Sequence, residues 1–134
     1  MYNKKVMGIF QNPSNIGELK GNDCGVGDAT SSVFGDTIKI YIKIVDNKVV
    51  DSKFKAFGNV ATIACTSMAT ELILGKSIEE LKEYKTDEIA KVLGGVPTSK
   101  EYSLDLVKSA IEDAVRDYTK RQAKLEKQKK NAKK

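Results

Sequence analysis

The sequence predicts an α+β fold in which a small antiparallel sheet of about three strands packs on a helical layer. Isoleucine alternates with lysine or tyrosine through TIKIYIKIV (37–45), which indicates a strand with one buried face. Apolar and small residues recur at helical spacing over residues 60–74 and again over 104–118, which indicates two buried helices. The layout is a helix, then a small antiparallel sheet, then a C-terminal set of helices, which is typical of an α+β fold in two layers.

The N-terminal segment is predicted to form one short helix followed by irregular chain. Apolar residues at helical spacing within residues 3–11 indicate the helix, and Asn12-Pro13 ends it. Residues 14–36 contain five glycines together with Ser, Thr and Asp, a composition typical of loops. We therefore expect at most one strand in this segment, near residues 25–34.

A β-hairpin is predicted at the centre of the chain. Residues 37–45 form its first strand, Asp46-Asn47-Lys48 its turn, and residues 49–57 its antiparallel partner. The buried face is expected to contain the isoleucines of the first strand and three apolar residues of the second: Ile38, Ile40, Ile42, Ile44, Val50, Phe54 and Ala56. This face of the hairpin should lie against the helices.

Four helices are predicted after the hairpin. The first covers residues 60–74, and Gly75 is placed to end it in the left-handed conformation. Each helix has a candidate N-cap residue, whose side chain can accept a hydrogen bond from an amide of the first turn. In chain order these residues are Asn59, Ser77 in a capping box with Glu80, Thr86 and Ser103.

The positive charge of the chain is confined to its C-terminal end. The net charge is +5, but Lys120–Lys134 contains eight basic residues and one acidic residue. A chain of this length is large enough for one hydrophobic core. We interpret residues 1–119 as a single domain and residues 120–134 as a basic helix end or flexible tail.

The composition is that expected of a soluble cytoplasmic protein. No apolar run approaches the roughly 18 to 20 residues needed to cross a bilayer, so no membrane association is expected. The N-terminus MYNKKVMGIF lacks the continuous apolar core of a secretory signal.

The sequence contains no histidine and only two cysteines. The absence of histidine excludes Ser-His-Asp and Cys-His catalysis and any histidine-bearing zinc site within one chain, so an enzyme is not expected. Two cysteines cannot form a cage of four thiolates. Cys65 lies on the apolar stripe of its helix, and we interpret it as a small buried hydrophobe. Cys24 lies among glycines, and we interpret it as a free surface thiol.

Three predicted loops each end where a strand or helix begins: residues 33–36, Gly58-Asn59 and residues 99–103. Nearly the whole chain around them, residues 6–124, resembles the scaffold proteins of iron-sulfur cluster assembly, the IscU and NifU N-terminal family. The matching segments, in the family's order and spacing, are NPSNIG (12–17), FGDTIKIYIKI (34–44), DSKFKAFGNVATIACTS (51–67), TELILGKSIEEL (70–81), LGGVP (93–97) and AIEDAVRDY (110–118). The resemblance implies that the three loops converge on one site.

In that family the site is built from three cysteines, one in each loop, with an aspartate beside them, and it holds an iron-sulfur cluster or zinc. By alignment of the flanking motifs, the three cysteine positions are occupied here by Phe34, Asn59 and Tyr102. The aspartate is retained as Asp36, and Glu101 stands about where many members have a histidine. Because such clusters are held by thiolates, no cluster is expected on this chain.

The resemblance therefore implies a scaffold-like protein that acts in or beside iron-sulfur cluster biogenesis as a partner-binding or modulating homologue. Its expected partner is a cysteine desulfurase or another scaffold. Recognition by a DnaK-type chaperone is not expected, because Val96-Pro97-Thr98-Ser99-Lys100 stands where scaffolds handed to such chaperones have LPPVK.

Two alternatives stay open at the level of sequence. The first is a carrier of iron or zinc with a weak, altered site drawn from Asp36, Cys24, Glu101 and Tyr102, of which Asp36 is the leading candidate ligand. The second is association with nucleic acid or the ribosome through Lys120–Lys134.

Overall fold

The structure, a computed structural model, describes residues 2–132. Its elements in chain order are α1 (Lys4–Gln11), β1 (Cys24–Thr30), β2 (Thr37–Val45), β3 (Lys48–Phe57), α2 (Val60–Leu72), α3 (Ile78–Lys82), α4 (Asp87–Val92) and α5 (Tyr102–Ala132), with a single 3₁₀ turn, Thr98–Lys100, before α5. The strands form one antiparallel sheet in the order β1-β2-β3, and α2 and α5 pack against it. The predicted α+β class is confirmed. Within the described residues no helix has the length and apolarity to span a bilayer.

The β2–β3 hairpin follows the prediction except at Lys48 and Val50. Asp46 and Asn47 both have positive φ, as a two-residue turn of a right-twisted hairpin requires, and Lys48 already belongs to β3. The prediction that Val50 joins the isoleucine face is wrong, because Val49 is buried instead and Val50 is 52% exposed. The pairing register shifts between Lys43 and Ile44, and a shift of one residue exchanges the two faces of a strand.

The edge strand β1 lies directly against α5, with almost no space between the two backbones. A Cβ atom at Gly27 would lie 1.9 Å from the carbonyl oxygen of Ala110, and one at Gly25 would lie 2.3 Å from that of Ala114. Real Cβ atoms do not approach so closely, so both positions require glycine. Gly25 and Gly27 therefore belong to a strand that a helix covers, and this strand is the one expected near residues 25–34.

Two aspartates of α5 accept hydrogen bonds from backbone amides on the outer edge of β1. Asp117 accepts a hydrogen bond from the Val26 amide at 2.8 Å, and Asp113 accepts one from the Asp28 amide at 2.9 Å. Four residues of helix rise about 6.0 Å and two residues of strand about 6.6 Å, so the two carboxylates match alternate amides of the strand. These two amides are therefore not available to pair with another strand.

The helices after the sheet test four predictions about helix ends. The Ser77–Glu80 capping box is present, and Gly75 has φ +83° just after α2. Thr86 precedes α4 but makes no side-chain cap hydrogen bond, because its backbone is helical and not extended. The prediction that Ser103 caps α5 is wrong, since the helix begins at Tyr102 and Ser103 is buried within its first turn.

Candidate functional site

The candidate site lies where the three loops predicted to converge do come together. Thr37 pairs with Phe57 at one end of the β2–β3 hairpin, which places Asp36 beside Gly58. The first turn of α5 closes the third side. The three segments enclose a cleft of about 270 Å³, lined by Phe34, Gly35, Asp36, Phe57, Gly58, Asn59, Lys100 and Tyr102.

Asp36 is the centre of this site. Its side chain is only 4% exposed, and its Oδ2 atom accepts hydrogen bonds from three other residues. The Asn59 amide nitrogen Nδ2 lies 2.9 Å away and the Tyr102 hydroxyl 3.2 Å away, and the third donor is the Thr62 hydroxyl. The carboxylate thus joins the loop before β2, the start of α2 and the start of α5.

Asn59 uses both ends of its side-chain amide. Its oxygen caps α2 by accepting from the backbone amides of Ala61 at 2.8 Å and Thr62 at 3.2 Å. Its nitrogen donates to Asp36 and also contacts the Tyr102 hydroxyl. A thiolate in this position has no proton to donate to a carboxylate, so Asn59 makes contacts that a ligand cysteine cannot make.

The two aromatic residues at the expected cysteine positions pack on each other. The rings of Phe34 and Tyr102 are stacked, with centroids 4.3 Å apart and planes inclined by 20°. Burial, together with the hydrogen bond to Asp36, raises the pKa of Tyr102 above its ordinary value. Its phenol therefore stays protonated near neutral pH, and a protonated phenol is a poor ligand for iron.

Sequence reasoning missed two residues that complete the network, Thr62 and Ser103. Both are fully buried, and their hydroxyl oxygens are 2.9 Å apart. Thr62 follows Asn59 by three residues and so lies on the same side of the α2 start. The available signal was a series of threonines at four-residue spacing on α2, namely Thr62, Thr66 and Thr70, all of which are buried.

Gly58 has a steric role at the site. A Cβ atom on this residue would lie 2.4 Å from Oδ2 of Asp36, so any side chain would displace the carboxylate from its donors. The absence of a side chain at Gly58 therefore leaves the space that the Asp36 carboxylate occupies.

The other residues predicted as possible ligands do not join Asp36. The interpretation of Cys24 as an exposed thiol is wrong: it is fully buried at the start of β1, six residues, or about 20 Å of strand, from the end nearest Asp36. Burial, with Asp23 nearby, raises the pKa of the Cys24 thiol. Glu101 precedes Tyr102 with an exposed side chain and makes no side-chain hydrogen bond or ion pair within residues 2–132.

Cys65 is a core residue, as the sequence predicted. It is fully buried among apolar side chains, and burial raises the pKa of its thiol to about 12. The prediction that Cys65 is a small buried hydrophobe is confirmed.

The donor atoms of the site do not fit an iron-sulfur cluster or a structural zinc ion. Such groups are held by thiolates and imidazoles, whereas this cleft presents a carboxylate already bound to three side-chain donors, an amide, hydroxyls and a phenyl ring. Among residues 2–132 no group of three or more His, Cys, Asp or Glu side chains is close enough together to hold a metal ion.

Sequence comparison gives one family over most of the chain. The model of the NifU-like N terminal domain matches residues 1–125. The iron-sulfur cluster assembly scaffold protein IscU 1 of Archaeoglobus fulgidus is 43% identical over 127 residues, which cover 95% of this chain and 82% of that protein. The IscU scaffold protein of Rickettsia prowazekii is 42% identical over 120 residues, covering 87% and 91% of the two chains.

Solved structures show the same fold at lower identity. The N-terminal NifU-like protein of Brucella abortus aligns with a TM-score of 0.72 at 21% identity and covers 88% of this chain and 94% of that one. A scaffold protein for the SUF system from Fervidobacterium islandicum aligns with a TM-score of 0.66 at 19% identity, over 85% and 96% of the two chains. From the match over residues 1–125 and the identity to the IscU proteins, the chain belongs to the family of IscU scaffolds and NifU N-terminal domains.

Proposed function

We propose that this protein acts in iron-sulfur cluster assembly as a partner-binding homologue that does not itself carry a cluster. The observation that supports this most strongly is the Asp36–Asn59–Tyr102 hydrogen-bond network, which lies where the family resemblance leads us to expect the cluster ligands. No catalytic step is proposed for the chain.

The chemistry of the three replaced positions supports the first half of the proposal. A cluster needs thiolate sulfur, and the ring of Phe34 and the amide of Asn59 cannot replace it. Tyr102 is held in its protonated form by burial and by Asp36. Phe34 stacks on Tyr102, and Asn59 is hydrogen-bonded to the Tyr102 hydroxyl. An iron ion could bind these side chains only after those contacts were broken.

The surface around the cleft supports partner binding. Val33 is 81% exposed, Phe34 58% and Phe57 75%, and Phe34 and Phe57 both line the cleft. Clustered exposed apolar side chains usually mark a protein-protein contact. We refer to Val33, Phe34 and Phe57 as the apolar rim, and we propose a cysteine desulfurase as its partner, with a ligand-bearing scaffold as the second candidate.

A carrier of iron or zinc is the weaker candidate function. It needs ligands besides Asp36, and Cys24 lies buried at the far end of β1, whereas Oδ2 of Asp36 already accepts three side-chain donors. The geometry favours the partner-binding function.

Anaerobic affinity capture from the native source tests the proposal. The bait is the full chain, and the matched variant is Val33→Ser with Phe57→Ser, which removes two exposed apolar side chains that make no hydrogen bond in the site. We expect the native bait to recover a desulfurase, or a scaffold with three ligand cysteines, and the variant to recover at least about tenfold less. Equal recovery by both baits would show that the apolar rim is not the binding surface. If the native bait recovers neither a desulfurase nor such a scaffold, the proposed function is contradicted.

A further inference from the structure

We propose that the C-terminal end of α5 binds the phosphate backbone of nucleic acids. The binding surface is the basic stripe, defined as Lys120, Lys124, Lys127 and Lys130. All four side chains are exposed. Their spacing of four, three and three residues places them within about 120° of arc on one side of the helix.

The end of α5 extends beyond the body of the protein. The last hydrogen bond from this helix to another element is donated by Gln122 Nε2 to the carbonyl oxygen of Asn22, at 2.6 Å. Residues 123–132 make no side-chain hydrogen bond or ion pair with the rest of the described chain, although they continue the helix without a break to Ala132. At about 1.5 Å per residue they extend for about 15 Å, which leaves the stripe accessible along its length.

The charge on this stripe is not neutralised within the described part of the molecule. None of its lysines lies within ion-pair distance of an acidic side chain, whereas Lys39, Lys43 and Lys55 on the sheet each have an acidic partner. Residues 1–119 contain 15 basic and 17 acidic residues, so the positive charge is segregated at the helix end. Like charges three or four residues apart destabilise a helix by a few tenths of a kcal/mol per pair, and a bound polyanion would relieve that repulsion.

The make-up of the helix end favours nucleic acid over the two other kinds of anionic surface. A helix that lies on a membrane needs an apolar face, and Leu125 is the only large apolar residue in the sequence after Tyr118. A protein partner would be bound mainly through aromatic side chains that become buried in the interface. The helix end after Tyr118 has no aromatic residue. Phosphate-backbone binding depends on cationic charge alone, because it is driven by the release of condensed counterions.

Fluorescence anisotropy with a labelled 20-base-pair duplex and a labelled single-stranded RNA tests the inference on the full chain. If all four lysines contact phosphates, the logarithm of the binding constant should fall with the logarithm of salt concentration with a slope of about −3.6, which is about 150-fold between 50 and 200 mM salt. The stripe variant Lys120→Gln/Lys124→Gln/Lys127→Gln should reduce the slope to about −0.9.

The matched control is Lys82→Gln/Lys91→Gln/Lys108→Gln, which removes the same charge from exposed lysines that have no ion pair within residues 2–132. The control should bind like the native chain, and circular dichroism should show both variants equally helical. Equal loss in both variants would mean that net charge and not the stripe is responsible. No binding at 50 mM salt, or binding to anionic lipid vesicles in preference to both nucleic acids, would also overturn the inference.

Discussion

The side-chain amide of Asn59 donates a hydrogen bond to the buried carboxylate of Asp36 at 2.9 Å, and so joins the first turn of α2 to the loop before β2. The family resemblance leads us to expect a ligand cysteine at the position of Asn59 and an aspartate at that of Asp36. Here a neutral donor directly contacts the carboxylate. The contact between the two loops is therefore kept by an internal hydrogen bond.

Replacing Asn59 by aspartate tests whether the donor is needed. Asn59→Asp keeps an oxygen to cap α2 but loses the amide donor and places a second carboxylate against Asp36. We expect the free energy of unfolding at pH 7 to fall by about 1–3 kcal/mol, because a buried acceptor loses its partner and meets a like charge. Urea denaturation measures this, and Asn131→Asp, at an exposed position on α5, should change stability by less than about 0.5 kcal/mol. Equal effects of the two changes would refute the structural role of Asn59.

A pair of glycine-to-alanine substitutions separates steric effects from backbone propensity. Gly58→Ala should destabilise the protein by about 1–3 kcal/mol, because the added Cβ would meet Oδ2 of Asp36 at 2.4 Å. Gly8→Ala, in α1 with no atom within 4 Å of the new Cβ, should stabilise it by about 0.5–1 kcal/mol. Thermal unfolding monitored by circular dichroism measures both, and shifts of the same sign would contradict the account of the site.

The raised pKa of Tyr102 predicts how stability depends on alkaline pH. The folded state keeps the phenol proton to a higher pH than the unfolded state, so the stability that this proton provides is fully present below the unfolded pKa of about 10 and is lost as pH rises above it. Tyr102→Phe keeps the ring stack but removes the hydroxyl. It should lower stability by about 1 kcal/mol at pH 7, and the difference from the native chain should shrink by pH 11. A difference that grows with pH would show that the sign is wrong.

The two thiols should be protected in the folded protein. Cys24 and Cys65 are both fully buried, and burial raises the pKa of each, so little thiolate is available to a water-soluble disulfide reagent. We expect both thiols to react within the mixing time in denaturant and neither to do so in native buffer. Rapid reaction of one thiol per native chain with the reagent would restore the interpretation of Cys24 as a surface thiol.

The strand and helix patterns of the sequence predicted the elements whose structure depends on local periodicity. The alternation over residues 37–45 gave β2 with its observed bounds, because side-chain direction in a strand has a period of two. The face of Val50 could not be predicted in this way, since a bulge depends on how two strands pair. Cys24 was predicted to lie on the surface because its glycine neighbours are typical of a loop. Those glycines instead allow the backbone of α5 to pack directly against β1.

The candidate site was predictable from family resemblance and not from pattern. Alignment with the family motifs predicts that Phe34, Asn59 and Tyr102 lie at one site. In the structure all three residues line one cleft. The alignment could not supply Thr62 or Ser103, because a threonine inside a helix and a serine near a helix start have ordinary local explanations. Their part in the network depends on the packing of α2 against α5, which no single segment encodes.

Anaerobic reconstitution tests the central claim most directly. The native chain and the variant Phe34→Cys/Asn59→Cys/Tyr102→Cys are incubated with ferrous iron, a sulfide source and reductant, then desalted for iron analysis and visible absorption. We expect the native chain to retain no stoichiometric iron or sulfide chromophore, because none of the three positions provides a thiolate. A stable chromophore on the native chain, with about two irons per chain as in a [2Fe–2S] cluster, would contradict this account whatever the variant does.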